Sequence, residues 1–226
     1  MHKERSTIKR GVIVFLKAPE KGNVKTRLSR VLDESFVLEL YKGFIQDTLY
    51  VLQSFPDKFI YFSTFEKEGD LRTWLGDEYQ YAVQTGKDLG EKMSNAFREV
   101  FSKGYDRLVL IGTDIPEITE TVLIRAFDVL ETEDAVIGPA TDGGYYLIGF
   151  KKESFSEKIF QGLNWSTKDV FQETLKVMDK MNLRYERILE LNDVDTPEDL
   201  KSLTLRIRSG VKIGCHTRKM LDSYEG

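Results

Sequence analysis

Short apolar runs alternate with amphipathic segments along most of the chain, and this alternation constrains the fold more than any other feature. The run GVIVFLK (11–17) is apolar at successive positions, which is typical of a strand buried on both faces. Further strands are predicted at 58–64, 79–85, 106–114, 134–140, 145–150 and 184–191. Strands alternating with helices predict an α/β, Rossmann-like fold: a mostly parallel central sheet with helices on both faces.

Helical spacing of apolar residues predicts the intervening helices. They fall at 34–54, 68–77, 89–104, 119–132, 166–182 and 196–209, with Ser166 as N-cap of the fifth. The 226 residues fit one large domain or two small ones, and we favour a single domain over 1–226. Its core is expected at about 10–209, and the tail at 210–226 is either a loose end or a small docking segment.

Composition excludes several functional classes. Hydrophobic residues make up 41% and charged residues 31%, as in soluble globular proteins. No window approaches the ~20 apolar residues of a membrane span, and the N-terminus lacks a signal-peptide pattern. The net charge of −4 argues against bulk nucleic-acid binding. A single cysteine, Cys215, forms no internal disulfide and fits the cytoplasm, where we expect this protein.

The scarcity of nitrogen and sulfur ligands narrows the metal chemistry. Only His2, His216 and Cys215 could supply them, so zinc sites with several thiolates are excluded. Oxygen ligands would dominate, which favours Mg²⁺ or Mn²⁺. The histidines are terminal, so no Ser/His/Asp triad is expected.

Ligands of an open parallel sheet bind beyond the carboxyl ends of its strands. The first strand is followed by Lys17, Gly22, Lys25 and Arg27, a flexible cationic loop that suits the phosphates of a nucleotide. A solvated basic loop explains the same residues equally well. The spacing of a P-loop is absent.

Carboxylates follow two other strands. Asp114 ends the strand 106–114, where it could hold a divalent cation or, more commonly for a lone TDxP, cap a helix. Asp193 and Asp195 follow the last strand, and one of them could be a second metal ligand. Residues 193–200 are also typical of an ordinary helix start, with Thr196 as the N-cap.

Two helix starts offer weaker signals. Asp88 either binds a sugar hydroxyl or caps a helix. Trp165 could stack on a base or sugar, with Ser166 and Thr167 presenting free N–H groups to an anion. A buried tryptophan and a capped helix are the commoner explanation.

The stretch GPATDGGYYLIGF (138–150) places Asp142, Gly143 and Gly144 between two predicted strands. A DG pair is typical of a hairpin turn. Glycines also let a ligand approach bare backbone, so the same residues could form the acceptor side of a site.

Six motifs occur in order across residues 15–200: FLKAPEKGNVKTRL, DLGEKM, IGTDIP, GPATDGGYYLIG, WST and DVDTPEDL. Together they resemble the bacterial glycosyltransferase A-type or selenodomain-associated transferase family, a former domain of unknown function. The wider nucleotide-diphospho-sugar transferase superfamily also includes molybdenum-cofactor and 2-phospholactate guanylyltransferases. The resemblance implies a transferase with the GT-A-like fold of that superfamily.

The resemblance also implies roles for individual residues. Lys25 and Arg27 would bind nucleotide phosphate, Asp114 and Asp195 the metal, and Asp142 to Gly144 would line the acceptor or sugar side. Lys87 and Lys92 depart from the glycine and arginine usual in the DLGEKM motif, and the arginine would offer a bidentate anion contact that lysine lacks.

Three functions are consistent with these residues. The favoured one is glycosyl transfer from a nucleotide-diphosphate sugar, with Asp142 as base or acceptor ligand and Lys25 assisting the leaving diphosphate. The second is nucleotidyl transfer from a nucleoside triphosphate to a phosphorylated acceptor. The third is a non-catalytic nucleotide-binding protein.

Overall fold

A computed structural model describes residues 8–64, 67–165 and 167–223 of the chain. Seven strands form one sheet in the order β3-β2-β1-β4-β6-β5-β7. The strands are β1 (Arg10–Leu16), β2 (Lys58–Phe62), β3 (Gln80–Val83), β4 (Arg107–Ile111), β5 (Ala135–Pro139), β6 (Tyr145–Lys151) and β7 (Tyr185–Arg187). The predicted α/β class with a mostly parallel sheet is confirmed.

In the part of the chain that the structure describes, seven α-helices connect or flank these strands. They are α1 (Glu34–Val51), α2 (Glu68–Leu75), α3 (Leu89–Ser102), α4 (Glu120–Thr132), α5 (Val170–Lys180), α6 (Pro197–Arg208) and α7 (Cys215–Asp222). Within the described ranges, none of the helices is long and apolar enough to cross a membrane.

One antiparallel strand determines which loops lie at the edge of the sheet where β1 and β4 end. Strand β6 is antiparallel to both β4 and β5, whereas the other paired strands are parallel. Strand β5 therefore runs in the same direction as β4, and the β5–β6 turn lies at the edge where β1 and β4 end. The turn and the Asp114 loop are joined there by the hydrogen bond from Gly112 N to Tyr146 O, at 3.1 Å.

The sheet is covered on both faces, as its apolar runs predict. Val12 and Val14 of β1 pack into the core on the face covered by α1 and α4, while Ile13 and Phe15 face the opposite core beneath α3 and α5. The second core is rich in aromatic rings, and its centre is the fully buried Phe97. The ring of Phe97 packs against Phe101, Phe150, Phe155 and Phe160.

The largest difference from the predicted elements concerns the fifth helix. It begins at Val170 with Asp169 at the N-cap position, four residues later than predicted. The chain before it turns instead, with Thr167 N bonded to Asn164 O. Ser166, the predicted cap, lies outside the described residues. Strand β7 is also shorter than predicted, although residues 188–191 continue beside β5 through hydrogen bonds from Ile188 N to Ile137 O and from Leu191 N to Pro139 O.

The segment after residue 210 docks on the body of the fold. Helix α7 packs on α1, where Thr217 is completely buried. Of the two expectations for this tail, the small docking segment is the one that the structure shows.

Replacement of Phe97 by alanine should destabilise the protein strongly. Removing this buried ring leaves a cavity among four aromatic neighbours, with a cost of about 3–5 kcal/mol in the free energy of unfolding. Urea unfolding followed by circular dichroism measures the change. Leu205→Ala on the exposed side of α6 is the control and should stay within about 0.5 kcal/mol of the unmodified protein. Equal effects of the two changes would contradict this description of the core.

Candidate active site

A cavity of about 480 Å³ opens at the carboxyl ends of β1 and β4, within the size range of small-molecule sites. Several of the chain regions predicted to carry chemistry contribute residues to its lining. The polar and charged ones are Lys17, Ser63, Gln84, Lys92, Asp114, Asp142, Tyr145, Tyr146, Thr167, Asp193 and Asp195. The predicted convergence of Asp114, Asp142 and Asp195 on one pocket is therefore found in the structure.

The ammonium group of Lys25 joins two of these carboxylates. Its Nζ lies 2.6 Å from Asp114 Oδ1 and 2.6 Å from Asp195 Oδ1, while only 4% of the Lys25 side chain is exposed. Burial alone would lower the pKa of Lys25, but attraction to Asp114 and Asp195 outweighs it and raises the pKa above its ordinary value. Lys25 is thus a permanent cation behind the carboxylates rather than on the cavity surface.

Local packing fixes the Lys25 loop. Val24 and Leu28 are buried in the core and anchor the loop on either side of the lysine. Lys25 itself has a φ of +46°, a left-handed conformation that is uncommon for a non-glycine residue. Its ammonium also lies about 6 Å above the rings of Tyr41 and Phe44 on α1. The strained backbone conformation of Lys25 therefore places its ammonium group in the interior, against Asp114 and Asp195.

Backbone contacts bring the two carboxylates together. Val194 N donates to Asp114 O at 3.1 Å, so the segment after β7 is held against the end of β4. Asp195 N donates to Asp199 Oδ2, and Thr196 with Asp199 forms a capping box at the start of α6. The predicted cap at Thr196 is confirmed, and this cap leaves the Asp195 side chain available to the cavity.

Asp193 is the carboxylate whose behaviour sequence reasoning missed. Burial, together with the nearby Asp142, Asp195 and Asp199, raises its pKa to about 6. The sequence showed an acidic run, but the fold determines which acids are crowded and partly buried. The raised pKa marks a strongly negative part of the cavity.

The cavity fits a hard divalent cation. Asp114 and Asp195 present carboxylate oxygens that retain 49% and 44% side-chain exposure, so water can complete an octahedral shell. The single charge of Lys25 does not balance the aspartates on this side of the cavity. These residues would hold Mg²⁺ or Mn²⁺.

Asp142 is both a turn residue and a cavity residue. Its Oδ1 accepts a hydrogen bond from Gly144 N at 2.8 Å, while the residue lines the cavity. Gly144 also lines it. Gly143 does not: its φ is +94°, and a Cβ atom there would lie 2.1 Å from the Lys168 carbonyl oxygen. The missing side chain of Gly143 thus accommodates the neighbouring backbone, and of the three residues of this turn only Asp142 and Gly144 line the cavity.

Trp165 joins two motifs at the cavity wall. Its ring lies against Gly90 of the DLGEKM motif, where an added Cβ would approach the ring to 2.5 Å. Trp165 and Thr167 both line the cavity, and Thr167 Oγ1 donates to Asn164 O. The predicted contribution of Ser166 cannot be placed, since this residue is outside the described part of the chain.

The predicted phosphate ligands separate into two groups. Lys17 lines the cavity, as does Lys92 at the position where the motif usually has arginine. Gly22 and Arg27 are exposed and are not among the residues lining it. Asp88 also lies outside the lining and caps α3 by accepting from Glu91 N at 2.8 Å, which is the second of its two expected roles.

Sequence comparisons point to a bacterial family and to guanylyltransferases. Residues 50–167 match the family model described as uncharacterized protein conserved in bacteria (DUF2064). The 2-phospho-L-lactate guanylyltransferase of Methanocaldococcus jannaschii is 24% identical over 183 residues, which are 79% of this chain and 76% of that protein.

Structural comparisons give the same fold. A protein from Desulfovibrio desulfuricans G20, provisionally named a nucleotide-diphospho-sugar transferase, matches with a TM-score of 0.90 and 38% identity over 96% of this chain and 95% of that one. A CMP:2-keto-3-deoxy-manno-octonic acid synthetase complexed with CTP matches with a TM-score of 0.51 and 11% identity, over 89% of this chain and 99% of that one. These matches support a transferase and the predicted fold, and they do not confirm the preference for glycosyl transfer.

Replacement of Asp193 by asparagine should stabilise the protein above about pH 6. The folded protein holds the Asp193 proton more tightly than the unfolded chain, so ionisation costs stability as pH rises from the unfolded value of 3.8 through the folded value of about 6. The variant lacks this cost, so its advantage should be present at pH 8 and absent at pH 4. Urea midpoints in buffer with a chelator measure it.

The matched control for this prediction is Asp128→Asn, which removes an exposed aspartate of α4. The pH dependence of its urea midpoint is subtracted from that of Asp193→Asn. A pH-independent difference for Asp193→Asn would contradict the crowded-carboxylate description.

Proposed function

This chain belongs to the DUF2064 family of proteins conserved in bacteria, and we propose that it is a nucleotidyltransferase. In the proposed reaction an acceptor oxygen attacks the α-phosphorus of a nucleoside triphosphate. The bond to the β-phosphate oxygen breaks and pyrophosphate leaves. The observation that carries the proposal is the Lys25–Asp114–Asp195 cluster at the floor of a cavity lined by further lysines.

The cluster suits phosphoryl chemistry because such reactions need positioning and charge compensation more than covalent catalysis. Asp114 and Asp195 would hold Mg²⁺ or Mn²⁺, which neutralises charge on the triphosphate and on the leaving pyrophosphate. Lys25 holds the two carboxylates close to each other and orients them, each at 2.6 Å from its ammonium. Lys17 and Lys92 place positive charge on the cavity wall, where phosphate oxygens can accept from them.

The guanylyltransferase relative supports the choice of nucleotidyl transfer. The Methanocaldococcus jannaschii relative is a guanylyltransferase that covers most of this chain. By analogy, the acceptor here is a small phosphorylated or hydroxylated organic acid, and a guanine nucleotide is the first donor to test.

Glycosyl transfer is the second candidate, and the carboxylates of the acceptor side favour it. Asp142 lines the cavity, and Asp193 beside it has a pKa of about 6. A carboxylate with this pKa can accept the proton of a sugar-acceptor hydroxyl near neutral pH. In that reaction a nucleoside diphosphate would be released instead of pyrophosphate.

Lys25→Met should lower kcat/KM for pyrophosphate release by about 10–100-fold, because Lys25 orients the two carboxylates that would hold the metal, and losing such an outer partner usually costs this much. Loss of Lys25 also leaves Asp114 and Asp195 to repel each other. The assay couples pyrophosphate release to colour formation with each nucleoside triphosphate, Mg²⁺ and a panel of phosphorylated acids. Lys21→Met, which removes an exposed lysine of the same loop, is the matched control and should retain activity.

Circular dichroism must show that Lys25→Met remains folded, and Asp114→Asn provides a second, nearly isosteric test at the same cluster. Diphosphate release from nucleotide sugars without any pyrophosphate release would favour glycosyl transfer. Nucleotide binding without either product would favour a non-catalytic binding protein and would overturn the proposal.

Asp142→Asn separates the two reactions further. Asparagine can still accept the hydrogen bond from Gly144 N, so the turn is kept while the charge is lost. If sugar transfer is the reaction, we expect initial rates to fall at least tenfold, since general-base catalysis contributes about 10²–10⁴-fold. Unchanged sugar transfer in this variant would restrict Asp142 to the turn; Asp128→Asn is again the charge-matched control.

A further inference from the structure

The only cysteine of the chain meets a histidine and a buried aspartate at the junction of α1 and α7, a site unrelated to the cavity. Cys215 and His216 begin α7, and Asp47 lies on α1 with a nearly buried side chain. One ligand atom from each of the three residues lies within 4.8 Å of the other two. None of the three lines the cavity at the carboxyl edge of the sheet.

The contacts converge on a single nitrogen. His216 Nδ1 is 2.9 Å from Asp47 Oδ1 and 3.6 Å from Cys215 Sγ. In a catalytic triad the histidine uses one ring nitrogen for the nucleophile and the other for the carboxylate. Here both neighbours face the same nitrogen, so a triad mechanism is excluded and a shared cation is the arrangement that fits.

Two of the three separations are close to those of a tetrahedral transition-metal site, and the third, between Cys215 Sγ and an Asp47 carboxylate oxygen, lies within 4.8 Å. Zinc bonds of about 2.3 Å to sulfur and about 2.0 Å to nitrogen place those two atoms about 3.6 Å apart, close to the separation of Cys215 Sγ and His216 Nδ1. A nitrogen and a carboxylate oxygen on the same ion lie about 3.3 Å apart, so the contact between His216 and Asp47 need open by only a few tenths of an ångström.

Asp47 is held in position before any ion arrives. Its Oδ1 accepts from His216 N at 3.0 Å and its Oδ2 accepts from Thr217 N at 2.8 Å. Gly214 packs so closely that a Cβ atom there would lie 2.0 Å from Asp47 Cγ. Such outer hydrogen bonds orient a ligand and are a regular part of metal sites.

We propose that Asp47, Cys215 and His216 form a site for Zn²⁺ or a similar borderline transition metal, with the fourth position open to solvent. Binding displaces the thiol proton of Cys215 to solvent, and any proton on His216 Nδ1 moves to Nε2 or to solvent. The ion links α7 to α1, the helix that also supplies Tyr41 and Phe44 beneath Lys25. Its role is to lock the C-terminal helix, so it is independent of the proposed nucleotidyl transfer.

The single thiol makes the test specific. Full-length protein freed of metal is titrated with Co²⁺, and the thiolate-to-cobalt absorption band is recorded. The reaction of Cys215 with a disulfide reagent is then timed with and without one equivalent of Zn²⁺. We expect the cobalt band, at least tenfold slower thiol modification with Zn²⁺, a higher Tm with Zn²⁺, and none of these effects with Mg²⁺.

Cys215→Ser and His216→Gln should abolish the cobalt band and the Tm increase, while His2→Gln, the matched control for the other histidine, should retain both. Cys215 is exposed, so its replacement is compatible with folding. An unprotected thiol in folded protein, or equal Zn²⁺ effects in all variants, would overturn the proposal and reduce the cluster to a cap of α7.

Discussion

The buried ammonium of Lys25 is the interaction on which the arrangement of the site depends. A buried charge is tolerated only when it is paired and hydrogen-bonded. Asp114 and Asp195 pair with the charge of Lys25 and accept hydrogen bonds from it. Asp195 is 170 residues away along the chain. The fold must therefore bring the start, the middle and the end of the domain to one point, and removing one partner would leave an uncompensated charge.

The direction of strand β6 also determines which residues line the cavity. Because β6 runs against its neighbours, the β5–β6 turn meets the ends of β1 and β4 instead of lying at the opposite edge. The reversal adds Asp142 to the same cavity as Asp114. A uniformly parallel sheet would have placed a long crossover connection before β6 and left this edge without the turn.

The sequence predicted what local patterns control. The apolar runs gave the strands, the capping box at Thr196 gave the start of α6, and strand ends identified Asp114, Asp142 and Asp195 as neighbours. Contacts between residues far apart in the sequence could not be predicted in this way. The partners of Lys25 depend on strand order, and so do the burial and the neighbouring carboxylates that raise the pKa of Asp193. Periodicity does not encode strand order. No local pattern predicts the Asp47, Cys215 and His216 cluster either, because it forms only where α7 packs on α1.

The distribution of charge within the cavity links geometry to chemistry. Lys17 extends from the end of β1, whereas Asp142 and Asp193 lie at the β5–β6 turn and after β7. In the proposed reaction, phosphate groups would be stabilised beside the lysine, and an acceptor approaching from the other side would meet carboxylates. An anionic acceptor then requires compensation by a divalent cation on Asp114 and Asp195, whereas a neutral hydroxyl requires only a base. The two proposed reactions therefore differ in how strongly acceptor affinity should depend on the divalent cation.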